Sequence, residues 1–477
     1  MKENKFLIKT IEILIIISLY YIFGKTSIFI YVLSLSLYNI FSSCLTHISC
    51  INTFNKYKDN YTKTKFLNII MLTIEVFSLL FLLLGIFVSD IVNSLLNLND
   101  TFLVFLFMGL SIPSRILLNI ICEYFNSIKR TKISNLFYKM YYLLEFTLLL
   151  IISIFTFRIF KLDNYIAISL LYLSKIIAIL VIIFLTYMII NMNKLMKNNN
   201  KIIKYSYKKE LKQVLTNNHM ISIINIVKNS YFYISIIILY LILITRYNYA
   251  INIIHEDITF IYFYFLSIIN YLVYIINLTI NKINNKLNIR TKIYNLIKII
   301  LPISIILIII SPLICKILFN NSDKSIYFVM VTFLLIILSL YEIIFEYKIN
   351  TKLIYISLLI GIILKLITTI PLINSFYRMG YNLIYGDILS TAIAMTITII
   401  INYTYLLAKN KEKKEKNYFI KVLNTLYENI ILGIILIITQ FIIPIKTDNY
   451  IYSLILIFIY LTISYLYFKI KKKYLKE

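Results

Sequence analysis

The chain is poor in charged side chains, which make up 14% of its 477 residues. Soluble domains carry roughly a quarter, so this shortage argues against a soluble protein. Tryptophan is absent while Ile, Lys, Asn and Tyr are abundant, a bias typical of AT-rich codons. Cysteine is scarce, and Cys44, Cys50, Cys122 and Cys315 show no CxxC spacing. That pattern argues against a disulfide framework and a zinc site, and we expect neither metal nor cofactor.

Long apolar runs are what the chain does contain. Segments of about 20 residues, enough to cross a ~30 Å hydrocarbon core, recur from end to end. The first, 6–23, follows Lys2 and Lys5 but precedes no small-residue cleavage site, which favours a transmembrane helix over a signal peptide. The predicted fold is all-α and polytopic, with about fourteen spans near 6–23, 27–50, 66–89, 101–127, 135–157, 164–192, 219–245, 257–281, 293–319, 325–347, 352–375, 380–408, 422–444 and 449–470.

The loops between these segments alternate between basic and weakly basic. The N-terminus, the run KNKEKKEK at 409–416 and the tail KIKKKYLKE all lie on the basic side. The positive-inside rule then places both termini in the cytoplasm. The net charge of +27 is explained by anionic lipid headgroups rather than by nucleic acid. No loop is long enough for a soluble catalytic domain, so we expect the protein not to be an enzyme. We also expect a monomer.

Two long cytoplasmic loops divide the predicted helices into groups of six, six and two. The predicted domains are therefore a six-helix bundle at 1–200, a linker at 201–218, a second bundle at 219–408, a basic linker at 409–421, and helices 13 and 14 with a basic tail at 422–477.

The two bundles resemble each other in sequence. A shift of about 220 residues places SDIVNSLL at 89–96 over SPLICKIL at 311–318, and RTKI at 130–133 over NTKL at 350–353. The second match brings Glu145 onto Lys365. Because six is an even number, the halves share one orientation, related by a pseudo-two-fold axis along the membrane normal. Transporters built in this way bind substrate between the halves near the midplane and work by alternating access.

Three segments resemble a known family. CEYFNSIKRTKISNLFYKMYYLLEF at 122–146 resembles the turn between helices four and five of polysaccharide and lipid II flippases, and SPLICKILFN at 311–320 resembles the end of their ninth helix. GIILKLITTIPLINSFYRMGYNLIYGDILSTAIA at 361–394 resembles their helices eleven and twelve. These proteins belong to the multidrug/oligosaccharidyl-lipid/polysaccharide (MOP) flippase superfamily. Two departures are Glu123 and Ser127, which stand where the family motif usually has glycines.

The resemblance implies a flippase that moves a polyprenyl-diphosphate-linked oligosaccharide across the bacterial plasma membrane by alternating access, with that glycan lipid and membrane lipids as partners. A multidrug or organic-cation antiporter of the same superfamily is the alternative. A membrane enzyme such as a lipid-sugar glycosyltransferase is a third class, but it would need a large outer loop with paired acids or arginines.

Ionisable residues at membrane depth are costly and usually face a cavity or a partner. Lys365 lies thirteen residues beyond Lys352, which is ~20 Å along a helix, and Arg115 is equally central in its span. With Lys175 and Lys228 they are predicted to line a positively charged cavity for a diphosphate, since arginine and lysine both bind phosphate oxygens.

The acids at membrane depth have two candidate roles. Glu75 and Glu145 are candidates for proton or sodium coupling. The alternative is that the four cations form structural ion pairs with Glu75, Glu145, Glu12 or Asp387. Tyr38 is a candidate contact for sugar hydroxyls, whereas the consecutive His255, Glu256 and Asp257 are expected to form a solvated turn.

Overall fold

The computed structural model is all-helical and confirms the predicted fold class. It describes residues 2–23, 29–45, 48–57, 59–96, 101–192, 207–216, 219–247, 251–283, 289–320, 322–346, 351–410, 418–443 and 450–474. Contacts divide the chain into two compact units, Met1–Glu256 and Asp257–Glu477. The domain boundaries drawn from the sequence stay predictions. In the two linkers among them, 201–206, 217–218 and 411–417 lie outside the described residues.

The first unit is built from the helices of the N-terminal half. In chain order they are α1 (Lys2–Phe23), α2 (Phe29–Cys44), α3 (Ile51–Lys56), α4 (Asn60–Leu96), α5 (Phe102–Ser111), α6 (Ser114–Ser127), α7 (Thr131–Ser153), α8 (Asn164–Leu171), α9 (Leu173–Met192), α10 (Tyr207–Thr216) and α11 (His219–Tyr247). A π-helical turn, Ile154–Ile159, extends α7. Within this unit α7 packs against α1, α6 and α9, and α11 packs against α2.

The second unit begins near the end of α12 (Ile251–Ile258), which runs through a π-helical segment, Thr259–Phe265, into α13 (Leu266–Ile283). Long helices follow: α14 (Ile289–Phe319), α15 (Ser325–Glu346), α16 (Thr351–Arg378), α17 (Ile384–Asn410), α18 (Tyr418–Ile442) and α19 (Tyr450–Tyr474). The last two pack on α14 through a buried apolar cluster of Ile310, Leu313, Leu432, Leu436, Leu456 and Tyr460.

The helices match the membrane spans expected from the sequence. Among the described residues, 11 helical segments are long and apolar enough to cross a membrane. They correspond to eleven of the fourteen predicted spans. The other three coincide with α1, with α2 and with α11, of which Phe29–Cys44 and Ser235–Tyr247 count as shorter apolar helices. The protein is therefore a polytopic membrane protein, while the count of fourteen crossings stays a prediction.

Close helix packing in both units depends on glycine. A Cβ on Gly85 of α4 would lie 2.4 Å from the Phe105 carbonyl oxygen of α5, and one on Gly109 of α5 would lie 2.5 Å from the Phe81 oxygen of α4. A Cβ on Gly386 of α17 would lie 2.6 Å from the backbone nitrogen of Ile373 in α16. Such backbone approach is open only to residues without a side chain, and it is a common way to associate helices in membranes.

Candidate functional site

Among the residues that the structure describes, the predicted cations inside the helices include a buried cluster in each unit. In the first unit the Lys175 ammonium on α9 donates to Glu145 Oε1 on α7. Both side chains are almost fully buried. A charge removed from water is tolerated when an opposite charge lies against it, so the two residues explain each other's presence in apolar helices.

Tyr38 on α2 joins this pair to a second cation. Its fully buried ring has Lys175 Nζ 5.2 Å and Arg115 Cζ 5.7 Å from its centroid, both within cation–π range. Three buried polar atoms here have no hydrogen-bond partner among the described residues: Tyr38 Oη, Arg115 Nε and Glu145 Oε2. Buried polar atoms are rarely left unpaired, because the loss of hydration is costly. Such a concentration in one place marks a site for a polar ligand, a water or a proton.

Arg115 also faces an acid on the first helix. Its Nη2 lies 4.0 Å from Glu12 Oε1, and 35% of the Arg115 side chain and 31% of the Glu12 side chain are exposed. The other oxygen of Glu12 accepts a 2.6 Å hydrogen bond from Lys9. Arg115 is the second residue of α6, which begins directly after Pro113. Proline fits the first turn of a helix because it needs no backbone donor there.

The cluster of the second unit surrounds Lys365 on α16. Its side chain is 1% exposed. The ammonium donates to Thr391 Oγ1 at 2.6 Å and lies 3.9 Å from Asp387 Oδ1, both on α17. Tyr262 in the π-helical segment donates its hydroxyl to the other oxygen of Asp387. Lys365 is therefore held inside the protein by a carboxylate and a hydroxyl.

The local sequence explains how these groups meet. Asp387 and Thr391 are four residues apart, so they lie on the same face of α17. Gly386, next to Asp387, lets that part of α17 approach the α16 backbone closely. A second contact at the same crossing is a 3.0 Å hydrogen bond between Thr369 and Ser390.

The remaining predicted site residues lie outside these contacts. Lys228 on α11 and Glu75 on α4 are both exposed. The structure thus brings Arg115 and Lys175 together around Tyr38 and gives Lys365 its own acid. Whether the four cations share one cavity stays a prediction.

The ion pairs correspond to the alternative left open by the sequence. Arg115 faces Glu12, Lys175 contacts Glu145, and Lys365 lies beside Asp387. The charges of these three cations are therefore balanced locally by acids in both clusters. Tyr262 and Thr391 were missed entirely, because a tyrosine and a threonine in an apolar helix carry no distinguishing signal.

The structure of residues 255–257 was predicted wrongly from the sequence. These residues do not form a solvated turn: His255 and Glu256 lie in α12, where the His255 ring stacks on Phe29 at 4.0 Å between centroids. Asp257 is buried and accepts a 2.7 Å hydrogen bond from Lys324. The error arose because three adjacent polar residues suggest a loop, whereas each finds a partner only through tertiary packing.

The two departures from the family motif have structural roles. Glu123 on α6 accepts from the backbone nitrogen of Cys50 at 2.6 Å and from the Ser49 hydroxyl at 2.8 Å. It thereby anchors the connection between α2 and α3. The Ser127 hydroxyl donates to the Tyr124 carbonyl at 2.7 Å, and the Ser127 backbone carbonyl accepts a 2.8 Å hydrogen bond from Lys63 of α4.

Solved structures share this arrangement of helices. Lipid II flippase MurJ in an inward closed conformation superposes with a TM-score of 0.66 at 14% identity, over 99% of both chains. The chain has the fold of the lipid II flippase MurJ. This confirms, at the level of the fold, the resemblance to the MOP superfamily.

Weaker matches come from other transporters. A MOP superfamily transporter from Pyrococcus furiosus has a TM-score of 0.49 at 11% identity, over 86% of this chain and 94% of its own. A mutant of the MATE transporter VcmN from Vibrio cholerae has a TM-score of 0.46 at 12% identity, over 88% and 98%. No family model matches the chain, and no curated protein matches it in sequence.

Proposed function

We propose that the protein is a flippase that moves a polyprenyl-diphosphate-linked oligosaccharide across the bacterial plasma membrane by alternating access. The observation that carries this proposal is the agreement of fold with a lipid II flippase over 99% of both chains. A superfamily fold hosts several substrates, so the choice of substrate depends on the chemistry of the charged residues.

The group we assign to the diphosphate is the Arg115 guanidinium. Among the predicted cations it combines an accessible surface with a buried Nε that has no partner among the described residues. A guanidinium holds two phosphate oxygens at once, which suits a headgroup that must be gripped and then released. Lys228, which is also exposed, is a second candidate contact.

Lys175 and Lys365 have a different part in this proposal. Both are buried against carboxylates, so they become available to a substrate only if the helices rearrange. Glu145 keeps one oxygen without a hydrogen-bond partner among the described residues, which makes it the better candidate for proton or ion coupling than the exposed Glu75.

The proposal includes the orientation of the chain. The basic loops place both termini in the cytoplasm with fourteen crossings. The protein acts as a monomer on a lipid-linked glycan and performs no chemistry on it. The lipid recovered after transport therefore has its original mass.

The organic-cation antiporter remains the second candidate, because one observation favours it. Each cation of the two clusters has a carboxylate partner, and Glu145 and Asp387 each have an oxygen that finds no hydrogen-bond partner among the residues that the structure describes. Buried acids of this kind suit cationic substrates as well as proton exchange.

Binding to the purified protein separates the two candidates. We expect an undecaprenyl-diphosphate sugar to bind, and Arg115→Gln to weaken that binding at least ~10-fold, about 1.4 kcal/mol. Lys132→Gln removes an exposed charge from the start of α7 and should leave binding unchanged. Binding of ethidium without any binding of the lipid would reject the flippase in favour of the antiporter, with Glu145→Gln as the next variant.

A further inference from the structure

The first helix carries an acid beside the proposed phosphate contact. Glu12 uses its two oxygens differently: Oε2 accepts a 2.6 Å hydrogen bond from Lys9 on the preceding turn, while Oε1 lies 4.0 Å from Arg115 Nη2. A hydrogen bond between these groups would need about 3 Å. Glu12 is therefore hydrogen-bonded to Lys9 and in only loose contact with Arg115.

This pair differs from the other ion pair in the same unit. The Lys175–Glu145 contact is a direct hydrogen bond between side chains that are almost fully buried. The Arg115–Glu12 contact is longer, and about a third of each side chain is exposed. Exposed ion pairs contribute little to stability. An anion that reaches Arg115 can therefore replace Glu12 without unfolding the cluster, whereas replacing Glu145 would leave Lys175 buried without a partner.

We propose that Glu12 is the resident counter-ion of Arg115, and that a diphosphate displaces it on binding. This inference rests on the proposed function and deepens it. A diphosphate carries more charge than one carboxylate and offers oxygens for both arms of the guanidinium. Glu12 does not become an unpaired charge when it is displaced, because Lys9 remains bound to its other oxygen.

The displacement makes Glu12 a selectivity residue. Membranes contain many phospholipids whose headgroups carry a single phosphate. Such a headgroup competes with Glu12 on nearly equal terms, while a diphosphate has the advantage of charge. Displacing Glu12 costs the same free energy for either anion, so at a given lipid concentration the weaker monophosphate headgroup is left unbound while the diphosphate headgroup still binds.

The test compares two prenyl probes that differ by one phosphate. Affinities of farnesyl diphosphate and farnesyl monophosphate are measured for the full chain in nanodiscs of zwitterionic lipid, with inorganic pyrophosphate as a probe without a lipid tail. We expect Glu12→Gln to tighten the binding of both probes at least ~5-fold, about 1 kcal/mol, because displacing Glu12 costs the same free energy for either anion. Glu12→Asp withdraws the carboxylate by one methylene and should give an intermediate value.

Two controls isolate the contact. Asp90→Asn removes an exposed acid from α4 and should change neither affinity. In the Arg115→Gln background, Glu12→Gln should have no further effect, because the group for which Glu12 competes is gone. Binding of pyrophosphate alone with the same Glu12 dependence would assign the site to free diphosphate rather than to a lipid headgroup, with the competition intact.

Failure of this inference is distinguishable from failure of the proposed function. If Arg115→Gln weakens diphosphate binding but Glu12→Gln leaves both affinities within twofold of wild type, the counter-ion role is wrong and the phosphate contact stands. If Arg115→Gln changes neither affinity, both are wrong.

Discussion

At the scale of single residues, the protein shows how charges are kept inside apolar helices. Lys175 and Lys365 are both buried, and each lies against a carboxylate from a neighbouring helix. The order of acid and lysine along the chain is reversed between the two units. In the first, the acid Glu145 comes before the lysine in sequence, and in the second Lys365 comes before the acid Asp387.

The buried pair in the first unit gives a prediction on stability. Removing one partner leaves the other charge buried alone, so Glu145→Gln or Lys175→Gln should each lower the free energy of unfolding by about 3–5 kcal/mol. The double variant should be less destabilised than either single one, because it buries no unpaired charge. Denaturation in mixed micelles, followed by thiol labelling of the buried Cys50, Cys122 and Cys315, measures this.

Lys132→Gln is the matched control for a lost lysine, since its side chain is exposed. It should unfold like wild type. Additive losses in the double variant would contradict the pairing.

At the scale of helices, the sequence predicted the spans well and their irregularities poorly. The interruptions at Pro113, at Tyr172 and in the π-helical segment Thr259–Phe265 lie within predicted continuous spans, and the π-helical segment Ile154–Ile159 overlaps the end of another. Only Pro113 had a visible signal. Hydropathy measures whether a segment can lie in lipid, and it is insensitive to a local change of helical pitch.

Glycine at the helix crossings gives the second prediction. The methyl group of Gly386→Ala would clash with backbone atoms of α16. The methyl groups of Gly85→Ala and Gly109→Ala would clash with backbone atoms at the crossing of α4 and α5. We expect each to destabilise the protein by about 1–3 kcal/mol, since overpacking forces helices apart. The same unfolding assay measures this.

Gly433→Ala is the matched control on α18. Its Cβ would meet only Ile305 Cγ2 at 3.7 Å, so it should be neutral or stabilise the helix by about 0.5–1 kcal/mol. Equal effects of Gly386→Ala and Gly433→Ala would show that close approach is not what these glycines provide.

At the scale of the whole molecule, the orientation of the chain can be measured directly. In a background with Cys44, Cys50, Cys122 and Cys315 replaced by alanine, an impermeant maleimide should label Lys161→Cys in intact cells. It should label Lys132→Cys only after permeabilisation, because the basic turn before α7 is predicted to be cytoplasmic. Labelling of Lys132→Cys from outside would invert the topology.

The sequence by itself determined the all-helical membrane fold and the position of nearly every span. The physical reason is local: lipid offers no hydrogen bonds, so each crossing segment must be an apolar helix of sufficient length. It also located Arg115, Lys175 and Lys365 as unusual charges, because a cation within such a segment is conspicuous.

Tertiary structure alone decided which acid neutralises which cation. Lys175 and Glu145 are 30 residues apart and lie on different helices, and Tyr262 reaches Asp387 across 125 residues. Such partners are chosen by helix crossings, which depend on glycine contacts and side-chain packing that no local pattern records. The loose contact between Glu12 and Arg115, on which the proposed selectivity depends, is of the same kind.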